Sequence, residues 1–390
     1  MKKMCRYVKV ERRVETITSK ERYEARFQRR RSKREKKQEE KLLQIGNYDK
    51  VFTYANLYNS YYLCRNGVRW KASIQKYEAT LPLTSLNIYN KMKNRKFEKI
   101  KFYEFNIMER GKKRHIMAET IADRCIQKVL CNKYLTPVLE PKLIYDNSAS
   151  IKGKGTDFQL RRIKSQLAYH YKKYGNTGYI FQFDFSKFFN NINHDILLRM
   201  LKKDIKDKDI YNYLKIIIDS FGEKGLGLGS QVSQIMAIYY PTMIDRYFKE
   251  VLHIKGYGRY MDDGYAICKN LDEAKRCKDA LIKLSNQLDL PLNMKKITIS
   301  RLNKTFIFLK KRIQLLDSGK IIIKIDKKSA YKARRKLKKL FKKHKEIDTL
   351  INTYKTWYGL SKKYNNYYIS QNYRKLFNKL LQNEFEYIKK

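Results

Sequence analysis

The chain has 390 residues, with 88 Lys+Arg against 38 Asp+Glu and a formal charge of +50 at pH 7. Self-repulsion of that size opposes compaction unless a polyanion neutralises it, so nucleic acid is the natural partner. A membrane-surface protein would also be basic, but no run of about 18 or more apolar residues is present and the opening Met1-Lys-Lys-Met-Cys-Arg-Tyr7 lacks the apolar core of a signal peptide. A soluble, cytoplasmic protein without a membrane partner is therefore expected. The 6 Cys form no C-x-x-C pair and no zinc spacing with the 5 His, which predicts reduced, mostly buried thiols.

Residues 1–48 are dominated by charge, including Arg29-Arg-Arg-Ser-Lys-Arg-Glu-Lys-Lys37, with helix formers and little apolar periodicity. They read as a basic N-terminal extension: a lone helix, an arm ordered by nucleic acid, or a disordered tail. Over 49–178, helix-like stretches at Val51–Tyr62, Trp70–Leu81, Ser85–Lys93 and Ile121–Leu135 surround a β-like segment, Lys99–Ile116. Residues 179–305 alternate strand and helix. Two segments, Phe306–Ile313 and Lys320–Ile325, then predict a two-stranded hairpin around Leu316-Asp-Ser-Gly-Lys320. Basic helices over Lys327–His344, Glu346–Tyr358 and Tyr367–Tyr387 complete the 306–390 region. In the first of them, Arg334-Arg-Lys-Leu-Lys-Lys-Leu-Phe-Lys-Lys343 keeps its apolar residues on one stripe and its cations elsewhere.

The chemistry concentrates in 179–305. Tyr260-Met-Asp-Asp263 lies in Gly256-Tyr-Gly-Arg-Tyr-Met-Asp-Asp-Gly-Tyr-Ala-Ile-Cys268, a tight turn with adjacent carboxylates between two aromatic-rich β segments. Hard oxygen ligands on a rigid hairpin suit Mg²⁺, which completes its octahedron with water and phosphate oxygens. Upstream, Tyr179-Ile-Phe-Gln-Phe-Asp184 is a buried strand ending in a carboxylate at the start of a helix. Asp184 facing Asp262 and Asp263 across neighbouring strands would place three carboxylates on two metals about 3.5–4 Å apart, the clamp for in-line displacement at phosphorus. Taken singly, the Asp pair also fits a solvated turn and Asp184 a helix N-cap. Between them, Gly225-Leu-Gly-Leu-Gly-Ser-Gln231 is a Gly-rich loop entering a helix, where the backbone can approach a base or phosphate.

The order strand-end Asp, Gly-rich loop into helix, aromatic-x-Asp-Asp resembles the reverse transcriptases. Asp184, Phe188, Phe189, Ile192 and His194 match their D-x-x-x-F-F-x-x-I-x-H pattern, Gly229 their Gly-rich segment, and Tyr260 to Asp263 their Y-x-D-D hairpin. Leu290-Pro-Leu-Asn-Met-Lys-Lys-Ile-Thr298 is similar to the L-N-x-x-K-T segment, and Phe306-Ile-Phe-Leu309 to the primer-grip hairpin, although Lys310 stands where a glycine is usual. Arg110-Gly-Lys-Lys-Arg-His-Ile116, Asp123-Arg124 and Tyr145–Thr156 resemble finger segments whose basic residues embrace template and triphosphate. The resemblance runs from about residue 100 onward.

That resemblance implies an α+β right-hand polymerase: basic extension (1–48), fingers (49–178), palm (179–305), and primer-grip hairpin with helical thumb (306–390). It implies an RNA-directed DNA polymerase with two Mg²⁺ ions, or Mn²⁺ in their place, held by Asp184, Asp262, Asp263 and the Phe185 carbonyl. It further implies that Phe189 excludes a 2′-OH, that Lys112 and Arg114 grip the triphosphate, that Gly229 and Gln231 position template and nucleotide, and that Lys296, or adjacent Lys295, protonates the leaving pyrophosphate. The implied partners are dNTPs, a non-coding RNA template, an RNA/DNA duplex, and a second copy or an accessory protein. The Gly227-Leu-Gly-Ser-Gln-Val-Ser-Gln234 form resembles stand-alone bacterial and prophage enzymes of antiphage defence or of diversity-generating retroelements. No C-x-x-C/His nuclease or RNase H pattern is found, so self-mobility is not expected. An untemplated or protein-primed nucleotidyltransferase is the remaining alternative.

Overall fold

A computed structural model describes residues 18–109 and 111–388. Arg110 and residues 1–17, with Cys5 and part of the expected extension, lie outside the described residues. The helix Ser19–Ile45 opens on a capping box: the Thr18 N–H donates to Glu21 Oε2 at 2.7 Å and the Glu21 N–H to Thr18 Oγ1 at 3.3 Å. Its described side chains are almost all exposed, and of the three readings of 1–48 the helical one holds over 19–45.

A helical body follows, over Tyr54–Cys64, Ala72–Ala79, Leu81–Lys93 and Ile121–Leu130. All four expected helices shift at an end. Thr53 caps Asn56 N–H and separates Tyr54–Cys64 from the single turn Tyr48–Val51, and Pro82 starts its helix at Leu81. The β-like segment forms an antiparallel hairpin, β1 (Tyr103–Glu109) and β2 (Lys112–Ala118).

The central sheet has four antiparallel strands in the order β4 (Gly256–Tyr260), β5 (Asp263–Cys268), β3 (Tyr179–Asp184), β6 (Thr298–Arg301). Both faces are covered, which is why β3 and β5 read as apolar runs with little alternation. Phe181, Phe183, Ala266 and Cys268 join Ala274, Cys277 and Leu281 of the helix Leu271–Gln287 in one core. Ile180, Tyr265 and Ile267 join Leu160, Ile163 and Leu167 of the helix Thr156–Tyr174 in another. The sheet's tightest point is Gly264, where a Cβ would collide with the Phe183 ring.

The expected two-stranded hairpin is a three-stranded sheet: β7 (Phe306–Phe308), β8 (Lys311–Leu315) and β9 (Ile321–Ile325). The extra turn is Leu309-Lys310, both left-handed (φ 47° and 60°), the conformation of a two-residue hairpin loop. No glycine marks it, so the segment reads as one strand. Three helices, Lys327–Lys342, Ile347–Lys362 and Tyr367–Ile388, bury Leu337, Phe341, Leu350, Tyr373 and Phe377 between them. Asn365 and Asn366 accept the Ile323 and Ile325 N–H groups at 3.1 and 2.9 Å and tie this bundle to β9. The five described cysteines are free and buried, and no described helix is long and apolar enough to cross a membrane.

Candidate active site

The register of the central sheet brings the carboxylates together: Asp184, last residue of β3, is paired with Asp263, first residue of β5, and Asp263 also with Tyr260 of β4. Asp262 lies in the two-residue turn, where Met261 has φ 54°, and its carbonyl accepts the Phe185 N–H at 3.3 Å. A non-glycine residue in that conformation is strained and must be held by its surroundings. The holding group is Arg259, whose Nη1 donates to the Met261 carbonyl at 2.9 Å.

Arg259 is fully buried, and the same guanidinium makes a two-pronged pair with buried Asp245 (Nε–Oδ1 2.8 Å, Nη2–Oδ2 2.7 Å) and donates to the Ile238 carbonyl at 2.7 Å. Tyr257 donates to Asp245 Oδ1 at 2.7 Å. Neither Arg259 nor Asp245 was among the expected site residues. Arg259 is the one charge inside Gly256–Tyr260, a position that requires a buried partner; Asp245 stands beside Arg246 in Ile238–Phe248, so its signal was weaker.

The carboxylates themselves are short of positive charge. Burial, then the Asp184 charge, holds Asp262 above the usual carboxylate range; burial, then Asp262 and Asp184, pushes Asp263 up to about 7. The compensating cation is Lys296, whose Nζ lies 2.5 Å from Asp184 Oδ2. Burial pulls this ammonium down, but Asp184, Asp263 and Asp262 together outweigh it and hold it above the usual lysine range. Of the two candidate lysines, Lys296 is the one that the turn Met294–Lys296 brings to Asp184. Asn293 also serves here, donating from Nδ2 to Asp184 Oδ1 at 3.3 Å and from its backbone to the Asp184 carbonyl at 2.9 Å.

The donors are hard oxygens in a cluster with one lysine for three carboxylates, a chemistry that fits divalent metal. Among the described residues, however, no three acidic, His or Cys side chains are gathered into a ready cage. Lys296 shares the space around Asp184, and ion binding therefore calls for side-chain rearrangement.

A cleft of ≈ 860 Å³ opens over this cluster, lined by Asp184, Phe185, Phe189, Asp262, Lys296 and Arg114 among others. Phe189 is half-buried, with its ring edge-on to Phe188 at 5.7 Å, and its carbonyl accepts the Leu226 N–H at 2.8 Å. Phe185 is buried and stacks on Phe188 at 5.5 Å, so only its backbone is available to a ligand. Arg114 pairs with Glu109 across the β1–β2 hairpin at 2.6 Å. The side chain of Lys112 lies outside the described ones; Lys113 and His115 line the cleft beside Arg114.

Gly229 and Gln231 are not brought to this cleft. They line a neighbouring polar cleft of ≈ 310 Å³ with Glu119, Arg124 and Gln127. Gly229 has φ +129°, and a Cβ there would approach the Met117 carbonyl to 3.0 Å, so glycine serves close packing of the loop on β2. His194 likewise ties the loop down, its Nε2 2.6 Å from the Gly225 carbonyl. The expectation for Tyr145–Thr156 is corrected in part. Lys154 turns inward, donating to the Tyr145 carbonyl at 2.9 Å, and buried Asp146 pairs with Arg162 (2.6 Å) and Lys249 (3.0 Å). Asp146 also accepts the Arg259 N–H at its carbonyl (3.2 Å). This part of the segment buttresses β4, because its polar groups find their partners within the protein.

A family model described as reverse transcriptase (RNA-dependent DNA polymerase) matches residues 98–312, more than half of the chain. No curated protein matches it.

Proposed function

We propose, from the premise that this chain belongs to the reverse transcriptase family and is an RNA-directed DNA polymerase, a nucleotidyltransferase, that the 860 Å³ cleft is where a primer 3′-hydroxyl meets a deoxynucleoside triphosphate. The observation that carries the reading is the charge-deficient Asp184–Asp262–Asp263 cluster on two adjoining strand ends. In this reading fingers extend over 49–178, the palm over 179–305, and hairpin and thumb over 306–390.

Asp184, Asp262, Asp263 and the Phe185 carbonyl would hold two Mg²⁺ ions. When bound, such ions activate the attacking hydroxyl and neutralise charge on the phosphates. The chain's own groups do the rest. Lys113 and Arg114, on the β1–β2 hairpin, supply cations to the triphosphate. Phe189, on the cleft wall, excludes a ribose 2′-OH. Lys296, held beside Asp184 and protonated at neutral pH, donates a proton to the leaving pyrophosphate.

Its template is a dedicated non-coding RNA and its biological role antiphage defence or, as the Gly227–Gln234 loop form equally allows, sequence diversification in a diversity-generating retroelement. Incorporation of labelled dNTPs by the purified protein, with and without an RNA template and primer, tests the reading. Template-dependent incorporation is expected. Incorporation without any template would replace it with an untemplated transferase, and none under either condition with Mg²⁺ or Mn²⁺ would overturn it.

A further inference from the structure

The helix Tyr54–Cys64 buries Leu57, Ser60, Tyr61 and Cys64, and turns a second face outward. On that face Tyr54, Tyr58 and Tyr62 follow one another at four-residue intervals, the spacing that aligns side chains along a helix. Their ring centroids are 6.0 and 5.9 Å apart, and the Tyr62 and Tyr58 hydroxyls lie 3.3 Å from each other. Tyr54 is 37% and Tyr62 40% exposed, with half-buried Tyr58 supporting both from below. The Arg65 guanidinium, ion-paired with Glu78, lies 4.7 Å from the Tyr62 ring centre at the end of the row. The helix itself carries no acidic residue.

The row does not end at random. Leu63 and Cys64, next to Tyr62, form part of the wall of the ≈ 310 Å³ cleft beside Gly229 and Gln231. In that cleft Glu119 Oε1, Gln127 Nε2 and Gln231 Oε1 are buried without a protein hydrogen-bond partner. The polar lining of this cleft, with Arg124 and Lys128 among it, suits the edge of a nucleobase.

We propose that Tyr54, Tyr58, Tyr62 and Arg65 form a stacking ladder for unpaired bases of single-stranded RNA, which it leads into the polar cleft beside Gly229. The inference rests on the polymerase reading only in identifying that strand as the template. An aromatic row on a chain of charge +50 suits a strand whose phosphates meet surrounding cations while its bases meet rings.

Fluorescence anisotropy with a labelled oligouridylate tests this on the full chain, comparing Tyr54→Leu/Tyr62→Leu with Tyr54→Phe/Tyr62→Phe. The Leu pair is expected to weaken binding by roughly 5-fold or more, since stacking is worth about 1–3 kcal/mol per base. The Phe pair is expected to bind like the parent. The salt dependence of the Leu pair should not change, because no charge is removed. Primer extension should fall on templates with a long single-stranded overhang and stay unaltered on those with a single unpaired template base. Unchanged affinity of a folded Leu pair overturns the proposal, as does equal loss in the Phe pair. A changed oligomeric mass with unchanged RNA affinity assigns the face to protein contact instead. Should the double variant fail to fold, Tyr62→Leu alone carries the same comparison. Loss of template-dependent synthesis in the parent protein would sink the polymerase reading and leave the binding comparison standing.

Discussion

Two charged clusters meet at the β4–β5 turn, one through Arg259 and the other through Asp262 and Asp263, and they are built in opposite ways. Around Asp245, Arg259 meets both carboxylate oxygens and two backbone carbonyls, and Tyr257 adds a further donor. Around Asp184, three carboxylates share one half-exposed lysine, and two of them are held above their ordinary range. A cluster whose hydrogen bonds and charge close within the protein is scaffold. One that is left short of a cation is poised for a ligand that brings it, and perturbed carboxylates in a cleft are the expected sign of such a site. The first cluster also serves the second, since Arg259 fixes the Met261 carbonyl and with it the turn bearing Asp262.

The contrast makes its largest prediction at Asp262. Asp262→Asn should abolish nucleotide incorporation, because a neutral amide cannot replace an anionic metal ligand, while the fold and RNA binding persist. Steady-state incorporation and a filter-binding assay on the same preparation check it; normal turnover would remove Asp262 from the metal site.

Asp245→Ala should behave in the reverse way. Leaving the Arg259 guanidinium buried and unpaired is expected to cost about 3–5 kcal/mol of stability. Denaturant unfolding measures this, and a loss below about 1 kcal/mol would show that water or another carboxylate reaches Arg259.

The sugar gate is a finer test of the cleft. Phe189→Ala removes the surface that a 2′-OH would strike, so the ratio of kcat/KM for ribonucleotides over deoxynucleotides should rise roughly 10-fold or more, as one missing steric contact of about 1–3 kcal/mol allows. An unchanged ratio assigns Phe189 to packing against Phe188.

The pH dependence separates the clusters without mutation. Asp262 and Asp263 have folded-state pKa values above the ordinary carboxylate value of 3.8, with Asp263 near 7. Between those limits the folded state binds more protons than the unfolded one, so stability is complete below the lower limit and falls as pH rises through the upper. In chelator the melting temperature should therefore decline from about pH 4 to 7. Mg²⁺, which binds the deprotonated groups, should raise it more at about pH 8 than at about pH 5. Equal increments at both pH values would count against metal binding by these carboxylates.

The smallest effect is expected farthest from both clusters. Deleting 1–45, which leaves the buried Tyr48 in place, should flatten the salt dependence of RNA binding, by roughly 0.7–0.9 in log–log slope for each phosphate no longer neutralised, and spare extension of a preformed primer–template at low salt. An unchanged slope would show that the exposed helix Ser19–Ile45 does not touch RNA.

Much of this molecule is written locally. The apolar run ending at Asp184, the aromatic segments flanking Met261-Asp262 and the apolar periodicity of the C-terminal helices are short-range patterns, and the elements they predict are present with shifts of a few residues at their ends. Even the meeting of Asp184 with Asp263 was legible, since each closes or opens a strand and strand ends in one sheet fall side by side. What tertiary structure alone decided are the polar pairings between distant segments. Lys296 rather than Lys295 reaches Asp184 because one turn sets their directions. Gly229 and Gln231 face a second cleft because their loop packs on β2. Asp146 turns inward because Arg162 and Lys249, on other segments, reach it there. Periodicity and turn chemistry depend on neighbours in the chain, so a sequence displays them; the partner of a buried charge depends on which remote strand arrives beside it, and that is settled only when the core closes.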